Sequence, residues 1–448
     1  MPCFNTPAKY FEPLLASVFA QSYQNWELVL ADASNQQKKT DYLRAKARAD
    51  TRITYFKIPN QGIAINTNAA IEKANGHYIA FLDHDDTLDP DALATSMQFF
   101  VDNPEYGLVY SDEDKVSDDG EYYFEPHFKP DFSLDMLRNV NYITHFVVAK
   151  KALVDGLKGV RSGFDGAQDY DFLLRVVDTG TKIGHIAKIL YHWRQADGST
   201  AADFSNKQDV TDAGCRALDE HYLRRKIEGV KNTAIAHRPG FYRPVCSQKL
   251  SGLIIFVDLA NLHLSSIERN FIIERYKSNH DVMAHKIVVT EGLPASGAKT
   301  DKALVVRGAF IPANDTSDLF SLFVLASEGG VAGVAPKLVR NGRIYDMGLV
   351  TIAGRSEYLF RGLNPNKSIG FGSLEWVRNV NALSGAVGIE TGRPGRYAVW
   401  SHTEFVAFDK INAVVSSDQA YFYNPNVTEL SELVEQSSDY IADLLEIK

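Results

Sequence analysis

The sequence is poor in cysteine, with three such residues in 448. Cys3, Cys215 and Cys246 form an odd and widely spaced set, which excludes a disulfide framework and does not match the spacing of a zinc site. Sparse cysteine of this kind is typical of proteins in a reducing compartment. We therefore expect a cytoplasmic protein.

Long hydrophobic runs and an excess of positive charge are missing as well. Runs such as Leu253–Val257 are far shorter than the ~20 apolar residues that cross a bilayer, and residues 1–7 lack the basic and apolar regions of a signal peptide. Acidic residues outnumber basic ones by 56 to 47, which gives a net charge of −9. Proteins that neutralise many phosphates are usually basic, so we predict no nucleic-acid partner.

What the sequence does contain is an ordinary globular composition, with 45% hydrophobic and 23% charged residues. Its length predicts two or three domains. In the first half, segments with strand and helix patterns alternate, which predicts βαβ units and a doubly wound α/β sheet. The predicted strands are 26–30, 53–58 and 78–82, and the predicted helices are 11–19, 40–48 and 63–74.

Carboxylates follow two of these predicted strands, where ligands of open α/β sheets bind. Asp83, Asp85 and Asp86 repel one another unless a cation or solvent compensates, and their oxygens suit Mg²⁺ or Mn²⁺. Such an ion can bridge a diphosphate and neutralise the charge that develops as it leaves. The structural alternative is a solvated acidic turn that caps the next helix. The position directly after an apolar strand favours the metal site.

Four other candidate residues each have a structural interpretation too. Asp32, after the first of these strands, either binds a nucleobase or ribose or forms an Asx turn. Asp169 is either a general base or a residue favoured by the dipole in the first turn of a helix. His192 and Arg194 are candidates for a metal ligand and a phosphate contact, against the alternative of an ordinary strand end.

Internal similarity indicates that one domain occurs twice. Arg138–Asn141 recurs as Arg378–Asn381, with an offset of 240. A second pattern repeats in the same order with an offset of 222. Its residues in the first half are Lys115, Gly120 and Tyr123, and in the second half they are Lys337, Gly342 and Tyr345. Between the halves, 237–249 contains two prolines and a glycine without a clear period. We predict domains at 1–236 and 250–448, joined by a linker at 237–249.

Taken together, these segments resemble the family 2 glycosyltransferases of the GT-A fold, over about residues 1 to 205. The segments that carry the resemblance are MPCFNTP at 1–7, QSYQNWEL at 21–28, AD at 31–32, GHYIAFLDHDD at 76–86, QDYD at 168–171, HWR at 192–194 and GSTA at 198–201. Their order and spacing are specific. The whole chain is similar to tandem-domain proteins of bacterial surface-polysaccharide synthesis, such as O-antigen and rhamnosyltransferase-like proteins.

The resemblance implies a role for each matched position. Asp83 and Asp85 would hold Mn²⁺ or Mg²⁺ on the diphosphate, and His192 would complete the metal site. Asp169 would be the catalytic base, in a direct displacement that inverts the anomeric centre. The positions implied to bind the nucleotide sugar are Pro2, Phe4 (against the base), Asn5, Asp32 (accepting the imide N–H), Asn68, Asp83 and Arg194.

Several features depart from the family pattern. Gln168 precedes Asp169 where an acidic pair is usual, and the loop at Asp32 has one aspartate where two are common. Met1-Pro2 corresponds to the end of the first strand, so we expect the apolar part of that strand to lie before Met1. The 222 offset matches Asp83 with Val305, and Val305–Gly308 contains no carboxylate. We therefore predict that 250–448 is a degenerate GT-A-like domain without catalysis of its own.

The leading hypothesis is a metal-dependent, inverting glycosyltransferase that moves a sugar from a nucleotide-diphosphate sugar to a growing, lipid-linked, cell-surface glycan. The alternative is a non-catalytic glycan-binding or scaffold subunit. A nucleotidyltransferase ranks lower, because residues 1–10 lack a glycine-rich basic loop. Residues 221–226 are basic and could meet an anionic membrane at its cytoplasmic face, although we favour a solvated helix face for them.

Overall fold

The structure is a computed structural model, and it divides into two compact units. One unit is built on Met1–Ser247 and the other on Gln248–Ser368 and Leu374–Lys448. The residues that the structure describes are 1–195, 207–235, 238–246, 254–259, 262, 264–277, 286–290, 303–307, 310–312, 318–352, 355–365, 377–384, 387–407, 414–416, 419–421 and 435–436. The GSTA segment at 198–201 therefore lies outside the described residues.

The first unit begins with a parallel sheet of three strands in the spatial order β1-β2-β3. These elements are β1 (Pro2–Cys3), α1 (Ala8–Phe19), β2 (Leu28–Asp32), α2 (Gln37–Ala47), β3 (Ile53–Lys57) and α3 (Ile63–Lys73). Helix α1 buries Phe11, Leu14 and Val18, which recur at helical spacing, in one cluster with Leu28 and Leu30 of β2. The predicted alternation of strands and helices is confirmed here, with boundaries that differ by a few residues.

The second sheet of this unit has the order β4-β8-β6-β9-β5, and β7 pairs with β6 at the side. Its strands are β4 (Tyr78–Ala80), β5 (Thr87–Leu88), β6 (Tyr106–Val116), β7 (Tyr123–His127), β8 (Val147–Lys150) and β9 (Lys182–Arg194). The remaining elements of the unit are α4 (Ala92–Asp102), α5 (Leu134–Leu137), α6 (Lys151–Gly156), α7 (Gln168–Asp178), α8 (Lys207–Arg224), β10 (Val230–Ile235) and β11 (Arg238–Cys246).

Two details of this sheet differ from the sequence analysis. The apolar segment 78–82 suits a covered parallel strand, but β4 pairs antiparallel with β8. An apolar run reports burial and not strand direction, and Leu82 indeed packs against the clusters on both sides. Most of the predicted linker 237–249 is strand β11, which pairs antiparallel with β10. The domain boundaries themselves stay a prediction.

The second unit contains a large sheet in the order β13-β12-β14-β21-β16-β22-β15, with β17 beside β16 and β20 beside β22. The elements of this unit are β12 (Ile254–Asp258), α9 (Ser266–Lys277), β13 (Lys286–Thr290), β14 (Ala303–Arg307), β15 (Phe310–Pro312), α10 (Asp318–Ala326), β16 (Val331–Arg340), β17 (Arg343–Asp346), β18 (Leu349–Ile352), β19 (Arg355–Tyr358), β20 (Arg378–Val380), β21 (Val387–Glu390), β22 (Arg396–Ala407), β23 (Val414–Ser416), β24 (Gln419–Tyr421) and β25 (Glu435–Gln436). In the described ranges of the chain, no helix combines the length and the hydropathy that a membrane crossing needs.

Candidate active site

The carboxylate turn, Asp83–Asp86, connects β4 to β5 and presents its acidic side chains differently. Asp83 is exposed, Asp85 is half-buried and Asp86 is buried. Because β5 pairs with the end of β9, the Asp86 carboxylate accepts hydrogen bonds from the backbone N–H of Arg194, at 2.7 Å, and from the Tyr191 hydroxyl. Asp86 therefore faces the protein interior, and Asp83 faces outward.

Burial has the largest effect on the pKa values of Asp85 and Asp86 in this turn. It raises the pKa of Asp86 to about 7, and the nearby charge of Asp83 adds to the rise. The pKa of Asp85 is raised too, first by burial and then by Asp83, against the opposing charge of His84. A bound cation would relieve this repulsion between carboxylates.

His145 lies beside the carboxylate turn, in the segment that leads into β8. Its Nε2 is 3.7 Å from Asp83 Oδ2, and its ring stacks on Tyr191 with centroids 4.8 Å apart and planes 7° from parallel. One ligand atom each from Asp83, Asp86 and His145 lies within 4.8 Å of the other two. Carboxylate and imidazole groups at such separations fit a divalent cation. Asp86 is the least available of the three, because its two oxygens already accept hydrogen bonds.

A buried ion pair holds His145 from behind. Its Nδ1 lies 3.1 Å from Glu113 Oε2, and the same carboxylate contacts the Lys129 ammonium at 3.2 Å. Burial alone would raise the pKa of Glu113, but Lys129 and hydrogen bonds with His127 and His145 hold it well below its usual value. Lys129 also donates to the carbonyls of Ile143, at 2.8 Å, and of His145. The ion pair therefore fixes both the ring and the backbone of His145.

Three consecutive carboxylates of β6 each contact a histidine, and Glu113 contacts His127 as well. The contacts are Asp112 with His185 Nε2 (2.9 Å), Glu113 with His145 Nδ1 (3.1 Å) and Asp114 with His192 Nδ1 (2.6 Å). His192 also meets the ring of Tyr123 at a centroid distance of 4.6 Å. Among the metal ligands predicted from the sequence, the described residues thus group Asp83 with Asp86 and His145, whereas Asp85 and His192 are not in that group.

Asp169, the predicted base, occupies the first turn of α7. Its Oδ2 accepts a hydrogen bond from Asn141 Nδ2 at 2.9 Å. Burial raises the pKa of Asp169, the charge of His145 opposes that rise, and Asp83 adds to it. The charges of His145 and Asp83 thus act on Asp169 in opposite directions, and of these three residues only His145 was not predicted from the sequence.

Asp32 is fully buried at the end of β2 and is occupied by partners within the chain. Oδ1 accepts from the backbone N–H of Ser34 at 2.9 Å, and Oδ2 accepts from the Tyr55 hydroxyl at 2.8 Å. Burial favours the neutral acid, but these hydrogen bonds outweigh it, so the pKa of Asp32 is lowered. The first bond is that of an Asx turn.

The loop after β1 is joined to the loop after β2 through Asn5. Its side-chain oxygen accepts the backbone N–H groups of Asn35 and Gln36, each at 3.2 Å. Phe4, the neighbouring residue, is 41% exposed, which leaves its ring accessible. Pro2 is half-buried and lies opposite Ala31 in the ladder.

Two other predicted donor-site residues bond to the main chain. The Asn68 amide donates to the Val160 carbonyl at 2.7 Å and accepts the Val160 N–H at 2.9 Å. The guanidinium of Arg194 is 2% exposed and donates to the Asp85 carbonyl at 2.8 Å, as well as to the carbonyls of Ser117 and Asp118. In the structure, Arg194 therefore positions the carboxylate turn, and its contact with a diphosphate stays a prediction.

The sequence analysis missed Glu113, Lys129 and His145. The sequence does contain a signal for Glu113. It belongs to a run of three carboxylates, Asp112–Asp114, inside an otherwise strand-like segment, and carboxylates that are buried in a strand require polar or charged partners.

Comparison with known proteins assigns part of the first unit to a known family. Residues 1–155 match the sequence model of the family described as Glycosyl transferase family 2. Residues 1–155 are a family 2 glycosyltransferase domain. The predicted family, the glycosyltransferase class and the α/β fold class of GT-A type are thereby confirmed.

Two relatives of the chain are considerably longer proteins. The chain is 44% identical over 269 residues to "Uncharacterized protein y4gI" of Sinorhizobium fredii, which covers 59% of this chain and 29% of that protein. It is 36% identical over 281 residues to "O-antigen biosynthesis protein RfbC" of Myxococcus xanthus, which covers 61% of this chain and 22% of that protein. The chain thus spans less than a third of the length of these two relatives.

Among solved structures, the chain is similar to residues 1–349 of S. aureus TarS in complex with UDP-GlcNAc. The sequence identity is 18% and the TM-score is 0.41, over 50% of this chain and 65% of that chain.

Proposed function

We propose that the protein is a divalent-cation-dependent, inverting glycosyltransferase of surface-polysaccharide synthesis. It moves a sugar from a nucleotide-diphosphate sugar to a hydroxyl of a growing glycan. The observation that carries the proposal is that the family 2 match at residues 1–155 includes the outward-facing carboxylate Asp83, whose charge raises the pKa of a second, half-buried carboxylate, Asp169. Relatives named for O-antigen and teichuronic acid biosynthesis support a polysaccharide product.

The donor diphosphate binds at the carboxylate turn. Asp83 and Asp85 would hold Mn²⁺ or Mg²⁺ there, and the imidazole of His192 would complete the site. When bound, the cation neutralises the negative charge that the leaving diphosphate acquires. Arg194 keeps the turn in place through the Asp85 carbonyl, and Asp86 anchors it to β9.

The acceptor hydroxyl loses its proton to Asp169. The hydroxyl oxygen forms a bond to the anomeric carbon as the bond from that carbon to the phosphate oxygen breaks, which inverts the configuration. Burial favours this role, because a base with a raised pKa takes up a proton more readily near neutral pH. The hydrogen bond from Asn141 directs the carboxylate.

The nucleotide binds across the loops that follow β1 and β2. The exposed ring of Phe4 stacks on the base, while Pro2, Asn5 and Asn68 maintain the shape of the pocket. Because Asp32 is fully buried, it accepts the imide N–H of the base only if the Tyr55 or Ser34 bond is exchanged. The more direct role for Asp32 is to shape the loop that carries this contact.

The acceptor is a glycan, and a lipid-linked oligosaccharide at the cytoplasmic membrane face suits a chain elongated in the cytoplasm. In the basic segment 221–226, His221 and Tyr222 are buried and Arg224 pairs with Asp178, whereas Leu223, Arg225 and Lys226 are exposed, so only part of the segment is available to a membrane. The second unit is a degenerate GT-A-like domain that positions the acceptor. The alternative for the whole chain is a non-catalytic glycan-binding subunit.

Hydrolysis of a panel of sugar nucleotides with Mn²⁺ tests the proposal. We expect the full chain to release the nucleoside diphosphate from one or a few of UDP-, dTDP- and GDP-sugars, and to lose this activity with a chelator. Calorimetry with UDP, dTDP and GDP in the presence of Mn²⁺ provides a second measurement. If the folded chain binds none of these nucleotides and hydrolyses none of the sugars, the non-catalytic alternative is correct.

A further inference from the structure

Three histidines that contact carboxylates of β6, namely His145, His185 and His192, differ in how their second ring nitrogen is used. His185 is 4% exposed and contacts two carboxylates, Asp112 through Nε2 and Asp131 through Nδ1 at 3.2 Å. His145 and His192 contact their β6 carboxylates through Nδ1. In these two rings Nε2 is the nitrogen directed away from the strand. In His145, Nε2 lies 3.7 Å from Asp83 Oδ2 in the carboxylate turn.

The geometry of His145 matches that of a metal-ligating histidine. Histidines that bind metals through one ring nitrogen usually donate the other N–H to a carboxylate or carbonyl, which fixes the tautomer and the ring orientation. Glu113 fulfils that function here, and Tyr191 and Trp193 flank the ring at centroid distances of 4.8 Å and 5.7 Å. Two ligands about 2.1 Å from one cation lie roughly 3–4 Å apart. The Nε2–Oδ2 separation already has this value.

We propose that His145 is a nitrogen ligand of the divalent cation at Asp83, and that Glu113 is the positioning residue that directs its Nε2 there. This inference rests on the proposed function and revises one part of it, the assignment of the imidazole ligand to His192. Lys129 completes the arrangement, because it neutralises Glu113 and holds the backbone carbonyl of His145. A buried ion pair behind the ring thus has a purpose besides stability, namely the orientation of a ligand.

Electron paramagnetic resonance of bound Mn²⁺ tests the assignment without turnover. The samples are the full chain with Mn²⁺ alone and with whichever of UDP, dTDP or GDP the wild type binds. We expect His145→Gln to remove the hyperfine coupling to nitrogen and to weaken Mn²⁺ binding about 100-fold, and Glu113→Gln to weaken it about tenfold. His185→Gln is the matched control, because it removes a histidine that, like His145, contacts a carboxylate of β6, and its Mn²⁺ affinity should stay within roughly twofold of the wild type.

The outcomes separate this inference from the proposed function. If the wild type binds Mn²⁺ but His145→Gln retains both the coupling and the affinity, the assignment of His145 is wrong and the transferase proposal is unaffected. Loss of the coupling in His192→Gln alone would restore the assignment made from the sequence. If Glu113→Gln binds Mn²⁺ like the wild type while His145→Gln does not, the positioning role of Glu113 is wrong. Thermal unfolding of each variant confirms that the protein is folded.

Discussion

The two units contain the same arrangement of strands but different chemistry. In the first, β4-β8-β6-β9-β5 are neighbours, and in the second, β14-β21-β16-β22-β15 are neighbours. The pairing directions agree at every step: antiparallel, antiparallel, parallel and antiparallel. Each central strand also carries a hairpin partner, β7 on β6 and β17 on β16. This agreement supports the predicted duplication.

The difference lies in a few positions. The run Asp112-Glu113-Asp114-Lys115 in β6 corresponds, at the offset of 222, to Val334-Ala335-Pro336-Lys337 in β16. The carboxylate turn between β4 and β5 corresponds to the connection from Arg307 to Phe310, which contains no acidic residue. Strand β16 occupies the same place in its sheet as β6 without these carboxylates. Buried ion pairs are therefore not needed for this strand order, which follows from the hydrophobic pattern. Since the strand arrangement does not require the carboxylates of the first unit, the comparison predicts where substitutions will matter.

The largest effect is expected from the carboxylates that the second unit lacks. Asp169→Asn removes the base and should lower kcat by about 10²–10⁴-fold, and Asp83→Asn should have an effect of similar size, because it weakens the donor site. Arg307→Ala, at the end of β14, should leave kcat within roughly twofold, because that strand end has no such chemistry. Donor hydrolysis and sugar transfer measure all three. A strong loss of kcat in Arg307→Ala would contradict the view that the second unit lacks catalysis.

The next largest effect is expected on stability, where substitutions in the two central strands, β6 and β16, should lower the free energy of unfolding by different amounts. Glu113→Ala leaves the buried Lys129 without its carboxylate and should lower the free energy of unfolding by about 3–5 kcal/mol. Val334→Ala, at a buried site of β16, should lower it by about 2 kcal/mol or less. Denaturation in urea measures both. The double variant Glu113→Ala with Lys129→Met should recover part of the loss, and no recovery would mean that the ion pair is not the cause.

The smallest effect is expected from pH. His221 is buried between Arg138 Nε, at 3.0 Å, and Asp178, at 2.7 Å. Burial, reinforced by Arg138, lowers the pKa of His221 below its usual 6.5. Below pH 6.5 the unfolded chain therefore takes up the proton first, so stability should fall as the pH drops. Urea denaturation at pH 7.5 and 5.5 should show a smaller fall for His221→Gln, and an equal fall would exclude this histidine as the cause.

Local features of the first unit could be predicted from the sequence. The helices predicted at 11–19 and 63–74 are α1, Ala8–Phe19, and α3, Ile63–Lys73. The strand predicted at 26–30 is Leu28–Asp32, so Asp32 ends the strand instead of following it. Apolar periodicity locates an element well and its ends poorly, because the ends depend on which residues find a ladder partner.

The partners within the site could not be predicted in the same way. Glu113 and His145 are separated by 32 residues, and Asp86 and the Arg194 N–H by 108. Contacts this distant in sequence follow from the pairing of β6 and β5 with their neighbours and leave no local pattern. For the same reason, the predicted direction of β4 was wrong, and the hydrogen bonds from Arg194 to main-chain carbonyls were not predicted.

The contacts of Asp86 have a consequence for how acidic motifs are interpreted. Its carboxylate closes a loop between two distant parts of the chain, since it accepts both the Tyr191 hydroxyl and the backbone N–H of Arg194. An aspartate with this role never needs to touch a substrate, yet its loss would let the neighbouring outward-facing Asp83 drift. The number of acidic residues in such a motif therefore overstates the number of ligands. One of the aspartates holds the turn in place and so fixes the position of the others.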